Sequence, residues 1–131
     1  MSNAILSLLS RILLAVVFIP SGLAKFGDIA GTAGYIGSAG IPAGTAMAWL
    51  AAIFEVAAGV AILVGFQTRI VSLLLAAFCL FLGVVFHFMA SNGGADMTQM
   101  IMFFKNIGLT GGFLSLAVAG AGAYSVDAKR G

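Results

Sequence analysis

The chain has 131 residues, of which 62% are hydrophobic and only 8% charged, with a net charge of +2 and a mean hydropathy of +1.17. A water-soluble domain carries roughly 25% charged residues, so most of this surface cannot face water. The few charges of either sign form no basic run suited to nucleic acid, and the single cysteine, Cys79, excludes an internal disulfide or dithiol relay.

Four stretches are apolar over the ~20 residues needed to cross ~30 Å of hydrocarbon. They lie at about 4 to 25, 46 to 65, 69 to 90 and 99 to 121, and nothing alternates with the two-residue period of a membrane β-barrel. The predicted fold is therefore all-α, an integral membrane bundle of four transmembrane helices forming one domain. The first stretch has no basic region ahead of its apolar core and is interrupted by Arg11, which reads as an uncleaved first helix rather than a signal peptide.

Between the first two helices the segment GDIAGTAGYIGSAGIPAG (residues 27 to 44) repeats glycine every third residue from Gly31 to Gly40. No strand precedes it and no lysine follows in P-loop register, so it is expected to form a short interfacial segment with Tyr35 at headgroup level. The next connection is tight, around Gly65 to Arg69, and the third, SNGGAD at 91 to 96, is polar and glycine-rich. Four spans put both termini on one side with Arg69, Lys129 and Arg130, against Lys25 on the other, and this bias predicts cytoplasmic termini.

Helical spacing then selects a face on each span. On the first it gathers Arg11, Ala15, Phe18, Gly22 and Lys25. The second gives Ala51, Glu55 and Gly59, the third Ser72, Ala76, Cys79, Gly83 and His87, and the fourth Lys105, Gly108, Gly112 and Ser115. Small residues let helices approach closely, and ionisable groups at membrane depth turn inward, so both criteria pick these faces. Counting 1.5 Å per residue from the outer ends puts Glu55 ~13 Å, Lys105 ~10 Å and Arg11 ~20 Å deep. Glu55 is accordingly expected to be a hub between Lys105 and Arg11.

Arg11, Lys25 and Lys105 outnumber the one interior carboxylate, with Asp28 only at the mouth. Such an excess of positive charge favours a small anion, or a carbonyl acceptor such as a quinone. The alternative is an ion-pair network that only fixes which helix faces which. His87 with Met89, Met97, Met100 and Met102 would suit Cu(I), but methionine in membrane helices is ordinarily apolar filling, and no metal site is expected. No hydrolase arrangement, haem site or flavin site is readable.

The chain resembles the DoxX family of small four-helix bacterial membrane proteins. The likeness rests on Arg11 followed by FIPSGLAKF (18 to 26), on the GIP turn, on EVAAGVAILVGFQTR from Glu55 to Arg69, and on FFKNIGLTGGFLSLAVAGAGAYSVD (103 to 127). It implies the bacterial cytoplasmic membrane, and a polar set made of Arg11, Lys25, Glu55 and Lys105. It also implies partner subunits of a membrane oxidoreductase or oxidative-defence system: relatives are linked to a thiosulfate:quinone oxidoreductase and to complexes with superoxide dismutase and a sulfurtransferase. Two other readings fit the size and helix count: a homodimeric proton-coupled exporter using Glu55, and a scaffold that recruits partner proteins.

Overall fold

The computed structural model describes residues 2–130, and every described element is helical. Four helices are long and apolar enough to cross a membrane: Asn3–Gly27, Gly44–Val64, Thr68–Phe88 and Met97–Ala119. Leu13 and Val118, 70% and 88% exposed, illustrate the apolar surface that these helices turn outward, which only acyl chains can cover without cost. The chain divides into two compact units, one formed by Met1–Phe66 with Ala121–Gly131, the other by Gln67–Gly120.

In the first unit, α1 (Asn3–Gly27) starts where the Ser2 hydroxyl accepts from the Ile5 N–H at 3.3 Å. Asp28 breaks the helix and begins the next: its N–H donates to the Lys25 carbonyl, and its carboxylate accepts from the Gly31 N–H at 3.0 Å. That carboxylate caps α2 (Ile29–Ser38), the segment expected to be short and interfacial, on which Tyr35 is exposed. A Cβ on Gly44 would come within 2.6 Å of the Ala33 carbonyl oxygen, so glycine there lets the start of α3 (Gly44–Val64) lie against α2.

Helix α1 packs along α3 through glycines from both sides. A Cβ on Gly22 would meet Val56 Cγ2 at 2.7 Å and the Ala52 carbonyl at 3.0 Å, and one on Gly59 would meet Ile19 Cγ1 at 2.7 Å. Lipid tails are as apolar as leucine, so association within the bilayer relies on this close backbone approach. Towards the same end the seam closes with Phe26 on Trp49, ring centroids 5.7 Å apart. The buried positions of α1 are Arg11, Ala15, Phe18 and Gly22, the face that helical spacing predicts.

In the second unit, α4 (Thr68–Leu82) continues into a π-helical turn, Gly83–Phe88. Helix α5 (Met97–Ala119) follows a loop in which Ser91 Oγ donates to the Phe88 carbonyl and accepts from the Gly94 N–H. Asp96 caps α5 by accepting from the Gln99 N–H at 3.1 Å. The face of α5 that meets α4 carries Gln99, Phe103, Asn106 and Thr110. Thr110 Oγ1 donates to the Ala76 carbonyl at 3.2 Å, a Cβ on Gly83 would touch Asn106 Cβ at 3.0 Å, and Gln99 reaches His87.

This corrects the face expected for α5. Lys105, Gly108 and Ser115 are exposed, and a Cβ on Gly108 would meet nothing within 4 Å. The physical reason is that α5 carries polar and small residues on two sides, and the amide and hydroxyl side, which bonds to α4, is the packed one.

Candidate functional site

Three polar side chains meet beside the α1–α3 seam. Ser21 and Lys25 stand one turn apart on α1, and Glu55 faces them from α3. Lys25 Nζ lies 2.7 Å from Glu55 Oε2 as an ion pair and donates to Ser21 Oγ at 3.0 Å. Ser21 Oγ in turn donates to Glu55 Oε1 at 3.3 Å. Glu55 is shut away, its side chain 3% exposed, whereas that of Lys25 is 26% exposed. The carboxylate is therefore the fixed base of the cluster and the ammonium its accessible tip. An ammonium has three N–H donors, so Lys25 keeps capacity for an outside acceptor.

Glu55 is thus the partner of Lys25, where the sequence pointed to a hub between Arg11 and Lys105. Lys25 reaches back along its own helix into the interior, as a long amphipathic side chain can. Arg11 sits elsewhere in the same unit and is wholly buried. Its Nη1 donates to the carbonyls of Leu63 at 2.6 Å and Ile62 at 3.4 Å, its Nε to the Ala121 carbonyl at 3.0 Å, and its Nη2 to the Tyr124 carbonyl. The guanidinium neutralises the carbonyl-rich C-terminal end of α3, where the helix dipole is negative, and Asp127 attracts it through space. Lys105 belongs to the second unit and is exposed on α5.

A family model described as DoxX matches residues 6–88, well over half of the chain. The chain belongs to the DoxX family. Among DoxX-like relatives, it is 40% identical over 120 residues to the inner membrane protein YqjF of Escherichia coli (strain K12), covering 92% of this chain and 88% of that protein. To the inner membrane protein YphA of the same strain it is 36% identical over 129 residues, 98% of this chain and 92% of that one. It is also 39% identical over 70 residues to the putative oxidoreductase CatD of Bacillus subtilis (strain 168), spanning 53% of this chain and 51% of that protein. No solved structure matches the chain.

The span matched by the DoxX model contains Arg11, Ser21, Lys25 and Glu55 and stops short of Lys105. Ser21 is the member of the cluster that the sequence reading passed over. Its signal was present, since it stands four residues before Lys25, the spacing that stacks two side chains on one helix face. In the second unit of this DoxX protein, His87 Nδ1 lies 2.7 Å from Gln99 Oε1. Met89 and Met97 are 70% and 67% exposed.

Proposed function

We propose that this DoxX-family membrane protein is a subunit of an oxidoreductase or oxidative-defence system in the bacterial inner membrane, and that its Lys25–Ser21–Glu55 cluster binds a quinone. The observation that carries this reading is the partly exposed Lys25 ammonium held against the buried Glu55 carboxylate. The charges of the pair cancel, so the site has little net attraction for a free anion, while the remaining N–H capacity of Lys25 suits a neutral carbonyl oxygen. Glu55 keeps Lys25 aimed, and Ser21 links the two. A bound quinone would supply the redox chemistry, with electrons from a partner subunit, and the Lys25 ammonium would hold its carbonyl oxygen and stabilise negative charge developing there. Trp49 and Phe26, in tilted ring contact on the same two helices, offer an aromatic surface for such a ligand.

Arg11 has its donors committed to backbone carbonyls and Lys105 belongs to the other unit, so the reading does not require either. The putative oxidoreductase CatD supports the redox context, and the two inner membrane relatives support the location. The excess of Arg69, Lys129 and Arg130 over Lys25 supports cytoplasmic termini in this reading.

The test uses Trp49, the one tryptophan. A soluble short-chain ubiquinone analogue titrated into detergent-purified protein is expected to quench its emission saturably, and Lys25→Met and Glu55→Gln to weaken that binding by about tenfold or more. Unchanged quenching in both variants would sink the proposal. Proton-driven transport in proteoliposomes that disappears in Glu55→Gln would point instead to an exporter.

A further inference from the structure

We infer that residues 121–130 form a docked strap and that the guanidinium of Arg11 is its lock. The first unit is discontinuous in sequence: the chain leaves it at Phe66 and returns at Ala121. One side chain bridges the two pieces. From its single buried position Arg11 holds Ile62 and Leu63 before the departure and Ala121 and Tyr124 after the return.

The chemistry of the strap explains why it needs such a lock. Between the end of α5 and the short helix α6 (Val126–Arg130) the backbone is irregular, with Gly120 and Gly122 at φ +81° and +84°. Ala121 and Ser125 of this stretch are buried, and buried backbone polar groups are costly unless they find partners in the protein. The carbonyls of Ala121 and Tyr124 find theirs on adjacent donors of the planar guanidinium, an arrangement a lysine ammonium cannot reproduce. Three lesser contacts fit the strap to the same end of the unit. The Asp127 N–H donates to the Gly65 carbonyl at 2.8 Å, Arg130 stacks 5.1 Å over the Phe66 ring, and a Cβ on Gly122 would strike Ser7 Cβ at 2.7 Å. Dependence is reciprocal: without the strap Arg11 Nε and Nη2 lose their acceptors and only the α3 carbonyls remain to it, and without Arg11 the strap carbonyls lose their donors. Arg11 therefore serves the closure of the unit rather than a ligand.

The experiment places one reporter thiol in the strap, Ser125→Cys in a Cys79→Ala background. Ser125 is 6% exposed, so maleimide labelling in detergent is expected to be slow. Arg11→Gln should raise the labelling rate about tenfold or more, and Arg11→Lys should give an intermediate rate. Gly122→Leu attacks the strap from its other side, leaving Arg11 intact, and should raise the rate similarly. Trp49 emission at the wild-type wavelength shows that α1 and α3 remain paired in each variant. Labelling as slow in Arg11→Gln and Gly122→Leu as in the parent would overturn the inference, as would an increase that Arg11→Lys abolishes completely.

Discussion

Replacing Lys25 by methionine keeps an unbranched flexible side chain, one atom shorter, and removes the charge facing Glu55. At the observed 2.7 Å, and with an effective dielectric constant of about 20, the attraction lost is about 6 kcal/mol. Desolvation of the two ions already offsets part of this, and Lys25 is 26% exposed and hence partly screened, so the net loss is expected at about 2–4 kcal/mol. Most of that loss is the cost of a carboxylate left in the interior with only the Ser21 hydroxyl. Adding Glu55→Gln should therefore recover at least about half of it, because the second change removes the stranded charge. Unfolding in mixed dodecyl maltoside and SDS micelles, followed by Trp49 emission, measures both variants against the parent. If Lys25→Met unfolds with the parent, or if the double variant loses the sum of the two single losses, the ion pair is not the energetic unit described above.

The glycines give sharper contrasts. Gly22→Ala drives a Cβ into Val56 and the Ala52 carbonyl and should cost about 2 kcal/mol or more in the same unfolding assay, whereas Gly34→Ala, in α2 with nothing within 4 Å, should gain about 0.5–1 kcal/mol. Gly65→Ala combines a left-handed φ of +72° with a Cβ 3.0 Å from Arg11 Nη1, and is expected to lose about 2–3 kcal/mol. Thr110→Val removes the hydroxyl bond to Ala76 and should cost only about 0.6 kcal/mol, read as a small shift in the unfolding midpoint.

Which parts of this structure could be read from sequence follows from how local each cause is. Arg11, Ala15, Phe18 and Gly22 recur at steps of four, three and four along one apolar helix, so the buried face of α1 was visible in spacing alone. Helix α5 resisted the same treatment because Lys105, Gly108 and Ser115 form as regular a stripe as Gln99, Phe103, Asn106 and Thr110. Within the second unit the amides and hydroxyl, not the charged stripe, make the contact with α4 and its π-helical end. The partner of Glu55 was missed because depth was counted between Cα positions, while Lys25 spans the extra distance with its own methylenes. The strap left no periodic trace, since its order comes from one arginine more than a hundred residues away. The π-helical end of α4 was equally invisible, having no composition of its own.

Arg11 and its acceptors on Ala121 and Tyr124 are 110 and 113 residues apart. At a synthesis rate of roughly 5–20 residues per second, Arg11 is added to the chain roughly 5–20 s before those carbonyls exist. The nascent first helix must therefore enter the bilayer carrying a guanidinium that has no final partners and borrows water or headgroup phosphates meanwhile. A chain ending just beyond α5 would lack Ala121 and Tyr124 and would leave the Arg11 Nε and Nη2 donors without these acceptors.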